Sequence, residues 1–223
     1  MKKLFFGTMI MILVIIAGCD LLNTGIIEYG SEISIAISNS SFENPTGLTD
    51  NGFLNGVDDW IEGGSWYGRL QWADGVPDGE YAVWSSIFID GSQAELGTDP
   101  NNGFSQELST VFEEGRYTLR IKALGDNTAG LTSRLILGYD SGINDYVELV
   151  HQDTNISYDP DSLGFSYKDA WFNQELVFEV IEGSAAIGKP IWIRFTSITG
   201  VSGTLGNSCW WDDISLTIAY PID

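Results

Sequence analysis

Histidine, cysteine and basic residues are scarce in this chain. Its 223 residues include one histidine, two cysteines and ten lysines and arginines, against 31 aspartates and glutamates. Serine–histidine triads and histidine-bearing metal clusters therefore have almost nothing to be built from beyond His151. The net charge of −21 excludes nucleic acid as a partner, because binding phosphates requires clustered cations.

Long hydrophobic runs are also missing, except for one at the N-terminus. This run extends from Leu4 to Ile16, follows Lys2 and Lys3, and is followed by Ala17 and Gly18. That order is the three-part layout of an export signal. The run is shorter than the roughly 20 apolar residues that span a bilayer. We therefore predict a signal peptide over residues 1–18.

Residues 16–19, with the sequence Ile-Ala-Gly-Cys, resemble a lipobox, in which the thiol of the new N-terminal cysteine carries diacylglycerol. An uncleaved anchor helix is the alternative. Each buried CH₂ of an acyl chain contributes about 0.8 kcal/mol, so a lipidated Cys19 would hold the protein durably on a membrane. We expect a lipidated tether over 19–31, a bacterial envelope lipoprotein facing the periplasm or exterior, and membrane contact through the lipid only. Cys209 is then left without a disulfide partner.

The rest of the chain has the pattern of a packed β domain. The sequence is 43% hydrophobic and 13% aromatic, which argues against disorder despite the acidic excess. Apolar residues alternate with polar or small ones in several runs, and clusters of glycine, asparagine and aspartate separate these runs. The alternating runs lie at 33–37, 117–123, 135–139, 176–180, 191–195 and 214–218. We predict one all-β domain over 32–223, an antiparallel jelly-roll β-sandwich.

Three motifs support a more specific assignment. They are Asn-Ser-Ser-Phe-Glu at 39–43, Phe-Ser-Gln-Glu-Leu at 104–108 leading to Gly-Arg-Tyr-Thr-Leu at 115–119, and Trp-Asp-Asp-Ile-Ser-Leu at 211–216. Together they resemble the galactose-binding-like jelly roll of family 4, 9 and 22 carbohydrate-binding modules. They also resemble the Stig cyclases, calcium-dependent enzymes of indole alkaloid biosynthesis on the same sandwich. Fold motifs do not separate a binding module from an enzyme.

Two acidic residues fall in phase with strand residues that face the core. Asp212 is in phase with Ile214 and Leu216, and Glu43 is in phase with Ile33 and Ile35. An inward carboxylate is costly unless a cation or hydrogen bonds compensate it. The resemblance implies a structural calcium ion at Glu43 and Asp212, with hydrogen-bonded or surface carboxylates as the alternative. A second candidate is the run of alternating oxygens from Asp153 to Asp161, for which a solvated acidic loop is the preferred interpretation.

One segment combines flat rings with hydrogen-bond donors. Trp66, Tyr67, Arg69 and Trp72 follow a pair of glycines, and rings of this kind stack on sugar faces. We expect these four residues to bind a ligand, with Trp84 and Trp171 as weaker candidates. A loop that packs against the sandwich is the alternative.

The strand phases also place several cations on outward positions. Arg120, Lys122, Arg134 and Arg194, together with Trp192, should face away from the core. They could form a basic patch for an acidic glycan. We prefer cross-strand ion pairs with outward acids such as Glu107 and Glu179.

The sequence therefore predicts a lipid-anchored module without catalytic activity, which captures a carbohydrate or related polar ligand at the envelope and contains a structural calcium ion. A role in envelope assembly is one alternative. A calcium-dependent enzyme resembling the Stig cyclases is another, in which Asp213 or Asp59 beside the tryptophans would supply the acid.

Overall fold

The computed structural model describes residues 27–43, 53–54, 57–63, 66–71, 76–79, 81–86, 103–125, 132–142, 145–156, 171–199 and 208–222. Within these ranges the chain forms twelve strands and no helix. The strands are β1 (Ile33–Ile35), β2 (Phe53–Leu54), β3 (Ile61–Gly63), β4 (Trp66–Gln71), β5 (Tyr81–Ser86), β6 (Gly103–Val111), β7 (Gly115–Gly125), β8 (Thr132–Asp140), β9 (Tyr146–Asn155), β10 (Phe172–Val180), β11 (Pro190–Thr199) and β12 (Ser208–Ala219). No described helix has the length and apolar character needed to cross a membrane.

The strands form two antiparallel sheets. The seven-stranded sheet has the order β10-β7-β12-β5-β4-β2, and β1 pairs with β12 beside it. The five-stranded sheet has the order β3-β6-β11-β8-β9. Apart from the hairpins β4–β5 and β8–β9, neighbouring strands are not consecutive in sequence, as in a jelly roll, and the prediction of an all-β antiparallel sandwich is confirmed.

The core lies between the inner faces of the two sheets. Alternate residues of the central strands point into it, which is why these strands have a period of two in hydrophobicity. Tyr117, Leu119 and Ile121 of β7 face Ile191 and Ile193 of β11 across this layer and are almost fully buried.

Aromatic rings from three separate segments close one side of the core. Phe42 lies 5.4 Å from Trp60 between ring centroids, and Trp60 lies 5.3 Å from Phe195. The indole nitrogen of Trp60 donates a hydrogen bond to the carbonyl of Asn39 at 3.2 Å. The Asn-Ser-Ser-Phe-Glu motif is thus held against the sandwich by its own phenylalanine.

The two ends of the sandwich differ. At one end, called the turn end here, lie residues 27–31, 111–115, 140–142, 145–146, 180–190 and 219–222. At the opposite end, called the loop end, β5, β7, β9 and β11 finish and β6, β8, β10 and β12 begin. The termini of the described chain meet at the turn end, where Glu28 and Gly30, expected in the tether, hydrogen-bond with Ile222 and Tyr220.

One strand, which the alternation did not predict, includes residues that were expected to form a loop. β9 continues through Asp153 and Asn155, which were assigned to an acidic loop. Asp153 pairs with Arg134 of β8 through two hydrogen bonds of 2.7 and 2.8 Å. A calcium loop that begins at Asp153 is therefore wrong, because this carboxylate already neutralises a guanidinium on the neighbouring strand.

Candidate functional site

The last strand contains an irregularity where the candidate residues meet. The pairing of β12 with β7 shifts in register between Asp212 and Ser215, and Asp213 has a positive φ of 52°. On its other side, β12 pairs with β5 up to Trp211 and with β1 from Leu216. The β-bulge therefore lies at the gap between two neighbouring strands, where a bulge can redirect side chains.

Asp212 is buried, but not because it follows the alternation of β12 that the sequence predicted. Trp211 and Ile214 both belong to the core, so Asp212 is not in phase with Ile214 as the alternation predicted. Asp212 is nevertheless fully buried. One carboxylate oxygen accepts a hydrogen bond from the Asp213 amide at 2.7 Å, and the other accepts one from the Asp78 amide at 2.9 Å. Burial raises the pKa of Asp212 to about 7, and these two backbone amides only partly oppose that effect.

Glu43 contacts the same short segment as Asp212. Its Oε1 accepts a hydrogen bond from the amide of Tyr81 at 2.8 Å. Gly79 has a φ of +65°, and a Cβ at this position would overlap the Glu43 carboxyl group. The backbone conformation favours a glycine here, and an added Cβ would displace the Glu43 carboxyl group. Residues 78–81 thus bring the acidic residues of the first and last motifs to one place.

The carboxylate oxygens of Glu43 and Asp212 are compatible with a hard cation, but these two side chains alone do not complete its coordination. Among the described residues there is no group of three or more histidine, cysteine, aspartate or glutamate side chains positioned to hold a metal ion. Calcium often takes backbone carbonyls and water beside two carboxylates. Glu43 and Asp212 are the residues that would hold it, and a cation would offset the cost of the buried Asp212 carboxylate.

On the outer face of the same sheet, Asp213 forms an ion pair with β7. The Lys122 ammonium lies 3.0 Å from Asp213 Oδ2, and both side chains are more than a third exposed. Lys122 is outward because its neighbours Ile121 and Ala123 are in the core. A proton donor and a proton acceptor are therefore accessible together at the bulge.

A row of apolar side chains lies next to this pair. Leu124 of β7, Trp210 of β12 and Trp84 of β5 are paired across three adjacent strands. The indole rings of Trp84 and Trp210 lie 6.1 Å apart with an interplanar angle of 38°. Lys122 and Leu124 are two residues apart on the same face of β7, a separation of about 7 Å, so this row is adjacent to Lys122 and, through the ion pair, lies near Asp213.

The other predicted ligand residues have different positions. Trp66, Tyr67 and Arg69 are in β4, where they pair in register with Ser86, Ser85 and Val83 of β5. Trp66 thus lies one strand away from the Trp84 position. Trp171 is half-buried and directly precedes β10. Trp72 and Cys19 lie outside the described residues.

The expectation that Trp192 and Arg194 are exposed is wrong. They are on the outer side of β11, but only 4% and 8% of their surfaces are exposed. β11 is the central strand of its sheet, and Tyr146 of β9 stacks on the Trp192 ring at 4.8 Å. Strand phase tells which face a side chain is on, but not what covers that face.

Three of the four outward cations form ion pairs, although with other partners than Glu107 and Glu179. Arg120 binds Glu32 and Glu175, Lys122 binds Asp213, and Arg134 binds Asp153. Each partner is on a neighbouring strand or, for Glu32, directly before one. These cations are neutralised locally and do not form a basic patch.

The sequence did not single out Trp210 or the pairing of Lys122 with Asp213. Trp210 stands between two inward residues, Cys209 and Trp211, so the alternation of β12 placed it outward. Lys122 is likewise outward by phase. Trp210, Lys122 and Asp213 come together because β7 and β12 are neighbours in the sheet. The sequence of either strand alone does not predict this pairing.

The chain is thus an antiparallel jelly roll in which the buried Asp212 lies at a bulge of β12 and the Lys122–Asp213 ion pair lies on the outer face of the same sheet as two indole rings. The chain belongs to the HpiC1-like family, described as HpiC1 cyclase, whose profile matches residues 33–217. A search of curated protein sequences returned no significant match.

The solved structures similar to this chain include both kinds of protein suggested by the motifs. A Stig cyclase, Fisc, from Fischerella sp. TAU in complex with (3Z)-3-(1-methyl-2-pyrrolidinylidene)-3H-indole is 16% identical, with a TM-score of 0.63 over 86% of this chain and 100% of that chain. A cyclase from Fischerella sp. TAU in complex with 4-(1H-indol-3-yl)butan-2-one is 17% identical, with a TM-score of 0.61 over 86% and 99%. The CBM22-1 xylan-binding domain of Paenibacillus barcinonensis Xyn10C is 11% identical, with a TM-score of 0.48 over 87% and 99%.

The predicted resemblance is thereby confirmed, and one expectation is corrected. The sequence was interpreted as a module without catalytic activity, whereas the family that it matches is a cyclase family. The motifs at the chain ends contribute to the fold shared by both kinds of protein, so they contained no information on this choice.

Proposed function

We propose that this protein is an envelope-anchored enzyme of the HpiC1-like family, which binds an indole-like aromatic molecule on the outer face of the seven-stranded sheet and transfers protons to and from it. The observation that carries this proposal is the Lys122–Asp213 pair, 3.0 Å apart, beside the Trp84 and Trp210 rings. Family membership supports a cyclase-type reaction.

The proposed reaction requires only proton transfer from the site. A cyclisation that only rearranges bonds needs no oxidant or reductant; a proton is added at one atom and removed at another. Lys122 fits the donor and Asp213 the acceptor, because both are accessible and adjacent. The indole rings would hold a flat substrate by stacking, which contributes about 0.5–1.5 kcal/mol per ring pair beyond area burial.

Asp213 is better placed for this role than Asp59, the other acid proposed from the sequence. Asp59 is exposed, but the neighbouring Trp60 ring is buried in the aromatic cluster with Phe42 and Phe195. The Trp60 ring beside Asp59 is thus packed into the core and not placed to stack on a ligand.

Two further parts of the proposal come from the sequence. Cys19 would carry the lipid that keeps the protein at the membrane. A calcium ion held by Glu43 and Asp212 would fix the bulge, and with it the orientation of Asp213, the next residue. In this arrangement the metal supplies structure, and the outer-face side chains contact the substrate.

Binding of 4-(1H-indol-3-yl)butan-2-one, measured by titration calorimetry, tests the ligand class. We expect the wild-type domain to bind it and Trp210→Ala to weaken binding about tenfold, which corresponds to about 1.4 kcal/mol. Trp84→Ala should have a similar effect. Tyr220→Ala is the control, since this exposed ring is at the turn end.

Two results would contradict the proposal. One is binding that is unchanged in both tryptophan variants while circular dichroism shows them folded. The other is binding of a neutral galacto- or xylo-oligosaccharide with no binding of the indole, which would favour carbohydrate as the ligand class.

A further inference from the structure

The N-terminal segment of the described chain is fixed to the turn end of the sandwich. The Glu28 carbonyl accepts a hydrogen bond from the Ile222 amide at 2.9 Å, and the Gly30 amide donates one to the Tyr220 carbonyl at 2.9 Å. The Arg116 guanidinium lies 4.7 Å above the centre of the Tyr29 ring. The chain therefore enters the sandwich at one defined position.

The remaining tether is short compared with the sandwich. Seven residues, from Asp20 to Ile26, separate Cys19 from Ile27. Fully extended, they reach roughly 25 Å. β12 alone has 12 residues and is about 40 Å long at about 3.3 Å per residue. An anchor at Cys19 can bring the turn end to a bilayer, but the loop end would lie well beyond the reach of the tether.

The turn end carries a rim of exposed apolar side chains, each between 38% and 56% exposed. These side chains are Ile27, Val111, Ile181, Ile187, Tyr220 and Ile222. Backbone and side-chain contacts connect the segments that carry them. Ile222 bonds to Glu28, the Tyr220 hydroxyl donates to Glu113 at 2.7 Å, and Phe112 pairs with Ile187.

The charges near this rim indicate which membrane surface it fits. Glu28, Glu113, Glu114 and Glu182 are exposed at the turn end, where Arg116 and Lys189 are half-buried cations. Anionic headgroups would be repelled, because attraction to them requires exposed lysine and arginine. Zwitterionic headgroups present an ammonium group that acidic side chains can approach.

We propose that the turn end is a membrane-facing surface, whose apolar rim (Ile27, Val111, Ile181, Ile187, Tyr220 and Ile222) contacts a zwitterionic bilayer while the loop end points away from it. This inference rests on the proposed lipid anchor at Cys19. The anchor holds the protein at the bilayer, and the rim sets its orientation. Ligands would then reach the loop end from the aqueous phase.

Energy transfer in vesicles tests the orientation. The full-length lipidated protein is reconstituted in phosphatidylcholine vesicles containing an acceptor-labelled lipid, with a donor dye on Glu182→Cys at the turn end or Asn155→Cys at the loop end. Cys209 is fully buried and does not compete for the dye. We expect several-fold higher transfer efficiency from position 182. Similar or reversed efficiencies would overturn the inference.

A second comparison tests the rim itself. The triple variant Ile181→Ser, Ile187→Ser, Ile222→Ser should reduce the difference between the two dye positions, whereas Val177→Ser, which changes an equally exposed side chain in the middle of β10, should not. Replacing phosphatidylcholine largely by phosphatidylglycerol should also reduce the difference. An effect equal for the triple variant and Val177→Ser would contradict the proposed contact.

Failure of the anchor and failure of the orientation give different results. Mass spectrometry that finds no diacylglycerol on Cys19 rejects the anchor, and the orientation with it. A lipidated protein with equal transfer from both positions rejects the orientation alone. A lipid-free domain that sediments as a dimer, and as a monomer in the triple variant, would show that a second copy covers the rim and would overturn the proposal.

Discussion

The indole nitrogen of Trp211 donates a hydrogen bond to the Ser133 hydroxyl at 2.9 Å, and this contact joins the two sheets through the core. The same hydroxyl donates to the Gln174 side chain at 2.6 Å, and Gln174 returns a bond to the Ser133 carbonyl at 3.1 Å. All three side chains are buried. A polar link of this kind is favourable only when every member has a partner.

Ser133→Ala should therefore destabilise the protein by about 1–3 kcal/mol, because it leaves the Trp211 and Gln174 groups unsatisfied in the core. The free energy of unfolding in urea measures this loss. Ser141→Ala is the matched control, since the Ser141 hydroxyl bonds to Asp145 at 2.6 Å on the surface. It should change stability by less than about 0.5 kcal/mol. Equal losses in the two variants would show that the core link is not important.

Gly79→Ala should remove the stabilisation by calcium, since the new methyl group would displace the Glu43 carboxyl group. Gly183→Ala is the control, because Gly183 has a φ of +81° and nothing within 4 Å of an added Cβ. Both variants should lose about 1 kcal/mol from backbone strain. Thermal unfolding with calcium and with a chelator separates the effects: the shift on adding calcium should persist in Gly183→Ala and be reduced in Gly79→Ala. A wild-type midpoint that does not change with the chelator would reject the metal.

Asp213→Asn and Lys122→Gln should abolish proton transfer without unfolding the protein. Their ion pair is more than a third exposed, so its loss should cost less than about 1 kcal/mol. The test follows deuterium uptake from heavy water next to the ketone of 4-(1H-indol-3-yl)butan-2-one by nuclear magnetic resonance. We expect uptake above the uncatalysed rate in the wild type and at least about a hundredfold less enhancement in either variant.

The control for this experiment is Glu175→Gln, which removes another exposed ion pair, that with Arg120, from the same outer face. It should leave deuterium uptake unchanged. Wild-type uptake in Asp213→Asn would exclude this carboxylate as the proton acceptor.

The Arg134–Asp153 pair should make stability depend on pH in the acid range. The hydrogen bonds from Arg134 lower the pKa of Asp153 below its ordinary value of 3.8. Since the folded-state pKa is the lower one, the pair stabilises the protein above pH 3.8, and this contribution is lost as the pH falls through the folded-state value. The difference in unfolding free energy between the wild type and Asp153→Asn should be less than about 1 kcal/mol at pH 7 and should disappear in strong acid. A difference that grows on acidification would contradict this assignment.

The fold was largely predictable because alternation is a local property of each strand. The runs at 117–123, 191–195 and 214–218 each placed their apolar residues in the core, and the aromatic and acidic motifs at the chain ends indicated the jelly roll. The same alternation failed at Asp212, because a bulge inserts residues that no period of two can anticipate. It also failed at Trp192, where Tyr146 of a neighbouring strand covers an outward position.

The sequence by itself determined the all-β class and the inward and outward faces of the regular strands. Only the tertiary structure decided that Lys122 meets Asp213 beside Trp84 and Trp210, that both carboxyl groups contact residues 78–81, and that Trp192 is buried. The physical reason is that hydrophobic periodicity depends on adjacent residues of one strand, whereas a site depends on the order of strands and on local bulges, which bring together residues from distant parts of the chain.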